Sequence, residues 1–227
     1  MAGLNFTPEQ LAHVTEAVTA AEASTDGEIV TIVSGQSDAY HDVALHYAVG
    51  AMLLTVAAAA LWPWLLEMKL EWLHGGWTSA QTNLHELLFL LLVGEALIFL
   101  IVRFALTWTP LRMLATPSLT KGRRVRRRAL QFFKSSAEKR TVGRVGILLY
   151  LSLTERRAEI IADEAIHSLV PQERWGDAMA ALVAKLRQGD AAGGMADAVT
   201  QIAVILKEHF PKTDLDVNEL PDRLIEL

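Results

Sequence analysis

Residues 43–66 form a run of 24 without a formal charge, and residues 87–106 form a second apolar run interrupted only by Glu95 and Arg103. A helix needs about 20 mostly apolar residues to cross a hydrocarbon core of roughly 30 Å. The first run is therefore expected to span a membrane. The second carries Glu95 near its centre, where an ionised carboxylate costs at least about 2.5 kcal/mol on the more lenient insertion scale. The short connection at 67–86 nevertheless pairs the two runs as a hairpin. In a level antiparallel pair, positions summing to about 150 share a depth. Glu95 then lies beside Thr55, Arg103 beside Tyr47 or His46, and Gly94 against Ala57–Ala60, where small residues allow close packing.

Flanking charge orients such a hairpin. Between Arg112 and Arg140 there are ten basic residues and one acidic residue, Glu138, whereas Lys69 is the single basic residue of the connection. Cytoplasmic flanks are enriched in Lys and Arg, so the segment after the hairpin is expected inside, and two crossings return the N-terminus to the same side. Trp62, Trp64, Trp72 and Trp77 would mark the far interface and Trp108 the near one. Residues 1–42 have no basic start and no apolar stretch, so the first run is expected to act as its own targeting signal. The absence of cysteine excludes disulfides, thiolate metal sites and cysteine nucleophiles. The net charge of −5 hides a split, since residues 1–42 carry seven acidic and no basic side chains while 141–227 carry fourteen acidic and nine basic.

The polar flanks have their own periodicity. Thr7-Pro8-Glu9-Gln10 is a capping box with Pro at the first helical position. Leu11, Val14, Val18 and Ala21 recur at three- and four-residue spacing, which predicts a helix to about Ala23. Thr25-Asp26-Gly27 reads as a turn and 28–33, rich in β-branched residues, as a strand. Beyond the hairpin, 145–153 is an almost continuously apolar strand, the pattern of burial on both sheet faces. Thr154-Glu155-Arg156-Arg157 turns it into a second strand at 158–162. One helix is predicted from near Pro171 to before Gly189 and another from about Gly194 to Phe210, ended by Pro211. Residues 212–227 read as an extended surface tail. Neither flank makes a domain alone, so strand 28–33 is expected to pair with the sheet containing 145–153. An insertion between paired strands is tolerated because loop-closure cost grows slowly with length.

The order Glu22-Ala23-Ser24-Thr25-Asp26-Gly27-Glu28-Ile29-Val30, then Gly146-Ile147-Leu148-Leu149-Tyr150-Leu151-Ser152-Leu153, then Arg156-Arg157-Ala158-Glu159-Ile160-Ile161-Ala162-Asp163 resembles the TPM-domain family over residues 6–42 and 120–227. The tail Asn218-Glu219-Leu220-Pro221-Asp222 resembles that of a bacterial membrane-bound branch. The resemblance implies a Rossmann-like α/β sandwich, here interrupted by a two-helix transmembrane hairpin. It also implies functions ranging from acid phosphatase activity and divalent metal binding to photosystem repair and auxiliary roles beside membrane channels. Many members place Gly-x-Gly after the second strand, where this chain has Asp163-Glu164-Ala165-Ile166.

Asp163 and Glu164 stand where a strand ends, a frequent ligand position in open α/β sheets. With Asp26 they are candidates for Ca²⁺ or Mg²⁺, which take several oxygen ligands. The same carboxylates can instead cap the following short helix, where negative charge is favoured. Lys121, Arg123, Arg124, Arg126, Arg127 and Arg128 suit anionic lipid head groups, each basic residue contributing about 1 kcal/mol near such a surface. Nucleic acid is not the expected partner, because aromatic interleaving is limited to Phe132 and Phe133, which fit the apolar face of a helix on the sheet. Glu95, Thr55 and Arg103 form a polar set in the apolar runs, suited to an ion path, an oligomer contact or a protonated internal hydrogen bond. Gly193-Gly194 could approach a phosphate, although a plain loop is commoner. The seven histidines show no metal-ligand spacing.

The resulting expectation divides the chain into 1–42, the first part of a TPM-like domain; 43–110, the hairpin, with spans 43–66 and 87–106; 111–211, the rest of the domain; and 212–227, a tail. It places the α/β domain and both termini at the cytoplasmic face of a bacterial inner membrane. The expected role is a non-enzymatic binding or scaffold module within a membrane protein complex, partnered by another membrane protein or a second copy. The alternatives are a Ca²⁺- or Mg²⁺-dependent phosphatase and an auxiliary subunit of a channel or transporter.

Overall fold

The computed structural model describes residues 6–73, 84–136, 145–213 and 222–227. Trp77, His74 and residues 218–221 of the tail motif lie outside the described residues. The chain divides into two compact units, residues 1–38 with 118–227 and residues 39–117.

The first unit is a mixed α/β fold on a four-stranded mixed sheet. Helix α1 (Pro8–Glu22) begins with the expected capping box, in which the Thr7 hydroxyl accepts from the Gln10 amide and the Gln10 side chain accepts from Thr7 N–H. Strand β1 (Glu28–Ser34) follows the turn. After the second unit come helix α6 (Ser118–Ser136), strands β2 (Gly146–Ser152) and β3 (Arg157–Ala162), and helix α7 (Glu164–Leu169). A 3-10 turn (Gln172–Trp175) leads into α8 (Gly176–Arg187), then α9 (Ala191–His209) and the short β4 (Ile225–Glu226). The sheet order is β3-β2-β1-β4. β1 runs parallel to β2 in the register Glu28 to Gly146 through Ser34 to Ser152, β4 runs parallel to β1, and β3 is antiparallel to β2. Strand 28–33 thus pairs with 145–153 across the insertion, as a single split sheet requires.

Every residue of β1 and β2 is buried, because both faces of the sheet are covered. On one face Ile29, Val33, Ile147, Leu149 and Leu151 pack with Val14 and Val18 of α1, Leu182 of α8 and Met195, Val199 and Ile202 of α9. On the other, Val30, Ile32, Leu148 and Tyr150 meet Val125, Ala129 and Phe133 of α6. Those three α6 positions are four residues apart, one stripe of the helix. Phe132 sits beside them with its ring centroid 5.8 Å from that of Tyr150, so the aromatic pair serves the sheet-facing side as expected.

Three details differ from the sequence expectation. The last helix starts at Ala191, not Gly194, because the Asp190 carboxylate caps it by accepting from Gly193 N–H. Gly193 and Gly194 are buried in its first turn, and a β-carbon on Gly194 would come within 3.0 Å of the Leu182 carbonyl oxygen, so that glycine permits close α8–α9 packing. The tail is also not merely surface-laid. Leu224 is buried in the main core, and Leu227 N–H donates to Val33 O while its carbonyl accepts from Gly35 N–H.

The second unit contains helices α2 (His41–Leu61), α3 (Trp64–Leu73), α4 (Leu84–Ala105) and α5 (Thr109–Ala115). α2 and α4 pack against each other, and each is long and apolar enough to cross a membrane. The first apolar helix stops at Leu61, short of the expected 66, because Pro63 has no N–H and obstructs helix continuation. On α4, Glu95 is buried while Leu92, Val93 and Leu97 around it are exposed. Thr55 does not bond Glu95. Its hydroxyl instead donates to Ala51 O in its own helix, and both Glu95 carboxyl oxygens are buried without a hydrogen-bond partner among the described residues. Gly94 makes no close approach to the alanine run, since a β-carbon there would meet nothing within 4 Å.

Candidate functional site

In sheets with parallel strands, ligands gather outside the carboxyl ends of those strands. β1 and β2 end side by side at Ser34 and Ser152. The chain beyond β1 is polar, Gly35-Gln36-Ser37-Asp38, and the turn beyond β2 contributes Glu155. These groups form one network. The buried Glu155 carboxylate accepts from Ser37 N–H at 2.9 Å and from the Ser152 hydroxyl. The Ser37 hydroxyl bonds the Tyr150 hydroxyl at 3.0 Å.

Helix α6 adds cations to this edge. Arg124 and Arg127 grip opposite oxygens of Asp38 at 3.0 and 3.1 Å. Arg128 lies with its guanidinium carbon 4.6 Å from the centroid of the Phe132 ring, within cation–π reach. Ser37, Asp38, Arg124, Arg127, Arg128 and Gln131 line a cavity of about 200 Å³. Arg126 is held elsewhere, by Glu159 at 3.2 Å. Burial pushes the Glu159 carboxyl up from its ordinary range, against the pull of Arg126 and Arg157. Of the six basic residues considered for a lipid surface, Arg124, Arg126 and Arg127 are thus held by carboxylates of their own unit, while Arg123 is exposed and Lys121 half-buried.

The acidic candidates lie at the opposite edge. β3 is antiparallel, so its end at Asp163 lies beside the amino end of β2. Asp163 N–H donates to Gly146 O, and its carboxylate accepts from Gly146 N–H at 3.0 Å. The side chain makes no cap to α7, so the helix-capping role is replaced by an extension of the β2–β3 ladder. Glu164 is exposed. Asp26 has both oxygens on Thr213, accepting from its amide and its hydroxyl at 2.8 Å each. Among the described residues no group of three His, Asp or Glu converges as a metal site. Asp26 and Asp163 thus carry hydrogen bonds to Thr213 and Gly146 rather than a shared ligand site.

A second polar feature joins α1 to the tail. The Glu22 carboxylate accepts from Ile29 N–H at 2.7 Å, and the Thr19 hydroxyl donates to Asp222 at 2.8 Å. Burial pushes the Glu22 carboxyl up to about 8, opposed by the Ile29 N–H and reinforced by the negative charges of Glu28 and Asp222. Neither this pair nor the Asp38 network emerged from sequence reasoning. For the latter a signal existed: Ser34-Gly35-Gln36-Ser37-Asp38 is a polar break directly after a β-branched strand.

The fold and the carboxyl-edge network define a small α/β domain with a polar site at its parallel-strand ends. Residues 106–205 match the family model described as the TPM domain. The resemblance to that family is therefore shown over somewhat less than half of the chain, from before α6 into α9, while the structure adds β1 to the same sheet and packs α1 on it. A solved structure, the NMR structure of BA42 protein from the psychrophilic bacterium Bizionia argentinensis, aligns over 100% of each chain with 15% identity and a TM-score of 0.56. At that identity the likeness concerns the fold alone. No curated protein matches the chain.

Proposed function

We propose that the chain is a TPM-type module with a Rossmann-like α/β sandwich, anchored by a transmembrane hairpin in a bacterial inner membrane. It serves as a binding or scaffold unit within a membrane protein complex. The α/β unit and both termini are cytoplasmic, and basic residues after the hairpin, Arg123 foremost, meet anionic lipid head groups. The observation that carries the reading is the outward display of Leu53, Leu54, Phe89, Leu92 and Phe104 on two helices of spanning length. Water is a poor solvent for that surface, and a bilayer is a good one. The excess of Lys and Arg after the hairpin supports the orientation. A reporter fused after Leu227 should be active only in the cytoplasm, and activity confined to the periplasm would reverse the topology.

Glu95 favours a second, compatible reading: an auxiliary subunit that contacts its partner inside the bilayer. A buried carboxyl with no partner among the described residues carries a desolvation penalty that a hydrogen bond from another membrane helix would relieve. Glu95→Gln should then abolish co-purification of a partner from native membranes while the α/β unit stays folded. Unchanged co-purification would remove Glu95 from the contact.

A further inference from the structure

Arg124, Arg127, Arg128 and Gln131 stand at i, i+3, i+4 and i+7 on α6, so they share one side of the helix. That side is adjacent to, and distinct from, the Val125-Ala129-Phe133 stripe on the sheet. Facing it are Ser37 and Asp38, and the cavity between them is lined by three guanidiniums and one carboxylate; with the buried Glu155 carboxylate behind Ser37 counted, a formal excess of one positive charge remains. Arg124 keeps only 16% of its side-chain exposure, so part of this excess is removed from water. Among the described residues no carboxylate pairs with Arg128, which contacts Gln131 Oε1 at 3.5 Å and the Phe132 ring.

Asp38 offers two oxygens, one to Arg124 and one to Arg127. A phosphate group offers at least one more acceptor and as much or more charge, and it matches the planar forks of arginine. We propose that this cavity seats one phosphate group and that Asp38 is the internal anion the phosphate displaces. The Ser37 hydroxyl and the Gln131 amide are placed to donate to the remaining oxygens. No bond is made or broken in the pocket, so the phosphate is a ligand and not a substrate. Asp38 is the last residue of the α/β unit before the chain continues to α2 at His41. Displacing it breaks the two ion pairs that join Asp38 to α6. The phosphate can come from a lipid head group or from solution. The proposal goes beyond the anchoring reading, because every residue that lines the pocket belongs to the α/β unit.

The test uses the full chain in neutral detergent at constant ionic strength, titrated calorimetrically with inorganic phosphate and, separately, with dispersed phosphatidic acid. One-to-one saturable binding is expected. Asp38→Asn, which removes the rival anion, should tighten it by about threefold or more. Arg127→Gln with Arg128→Gln, which changes exposed arginines, should weaken it by about tenfold or more, the scale of lost charge-assisted hydrogen bonds. Saturation by phosphatidic acid alone identifies the lipid head group as the source, and comparable saturation by inorganic phosphate identifies free phosphate. Because Asp38→Asn also removes two ion pairs, Gln131→Glu supplies a second arm: it adds a rival carboxylate and should weaken binding. The proposal is overturned if neither titrant saturates, if Gln131→Glu leaves the affinity unchanged, or if the double arginine variant binds like the parent.

Discussion

The two units contain much the same apolar side chains and use them in opposite ways. In the α/β unit Leu148, Leu149 and Leu151 are fully buried between helices on both sheet faces, whereas Leu53 and Leu54 of α2 are 64% and 73% exposed and Phe104 of α4 is 78% exposed. The cause is pattern. β1 and β2 are flanked by amphipathic helices that supply an apolar stripe to each face, while α2 and α4 are apolar all round and are covered only in part, by each other and by the short α3 and α5. A helix hydrophobic on every side belongs in a core or a bilayer, and among the described residues no core encloses these two.

This contrast can be broken by substitution, beginning where the effect is largest. Leu149→Ala should cost about 2–5 kcal/mol of stability, because the cavity left between β2 and its covering helices cannot collapse fully. Leu54→Ala should shift the same denaturation curve, measured on the detergent-solubilised chain, by less than about 0.5 kcal/mol, since little protein packs there. Comparable losses at both positions would mean that α2 is a core helix. A charge tests the surroundings directly. Leu54→Arg should raise the cost of membrane insertion by about 2.5–3.5 kcal/mol and reduce the membrane-bound fraction, while Val204→Arg, on an exposed position of α9, should leave it unchanged.

Smaller effects sharpen the description of the α/β unit. Gly194→Val should cost about 1–3 kcal/mol, because a side chain there meets the Leu182 backbone oxygen, which cannot move aside. Glu22 adds a pH dependence with a definite sign. Its carboxyl binds a proton up to about pH 8 in the folded state and only to its ordinary value of 4.5 when unfolded. The stabilisation associated with that proton is complete below 4.5 and is lost as pH rises through about 8, with a slope of at most about 1.4 kcal/mol per pH unit. Glu22→Gln should flatten the stability profile between pH 5 and 8, and an equally steep profile would assign the dependence elsewhere. The least effect belongs to Arg126→Ala, which removes a pair whose arginine is 58% exposed and should cost no more than about 1 kcal/mol.

Much of the architecture was legible because periodicity reports burial. The capping box at Thr7 located the start of α1, the continuous apolar run at 145–153 marked a strand covered on both faces, and the turn before Arg157 produced the β2–β3 hairpin. The candidate site was harder to read. Asp163 is at a strand end in the sequence, but only the antiparallel direction of β3 reveals that this end lies at the amino edge of β1 and β2. The hairpin turn before Arg157 implies that direction, but the general preference for strand ends does not take it into account. Arg124 and Arg127 likewise read as free basic charge, because their partner, Asp38, is separated from them by the whole inserted unit. Thr55 and Glu95 form no hydrogen bond for a local reason: a threonine hydroxyl in a helix can satisfy itself on the carbonyl four residues back.

The central claim is that one folded α/β unit is interrupted by two helices that cross a membrane. The absence of cysteine makes a direct test simple. Single cysteines at Lys69, exposed on α3 between the two long helices, and at Ser168, exposed on α7, can be challenged with a membrane-impermeant maleimide in cells whose outer membrane has been permeabilised. Lys69→Cys should be labelled while the inner membrane is intact, and Ser168→Cys only after that membrane is broken. Labelling of both sites before lysis, or of neither, would contradict a hairpin with its α/β unit on the cytoplasmic side.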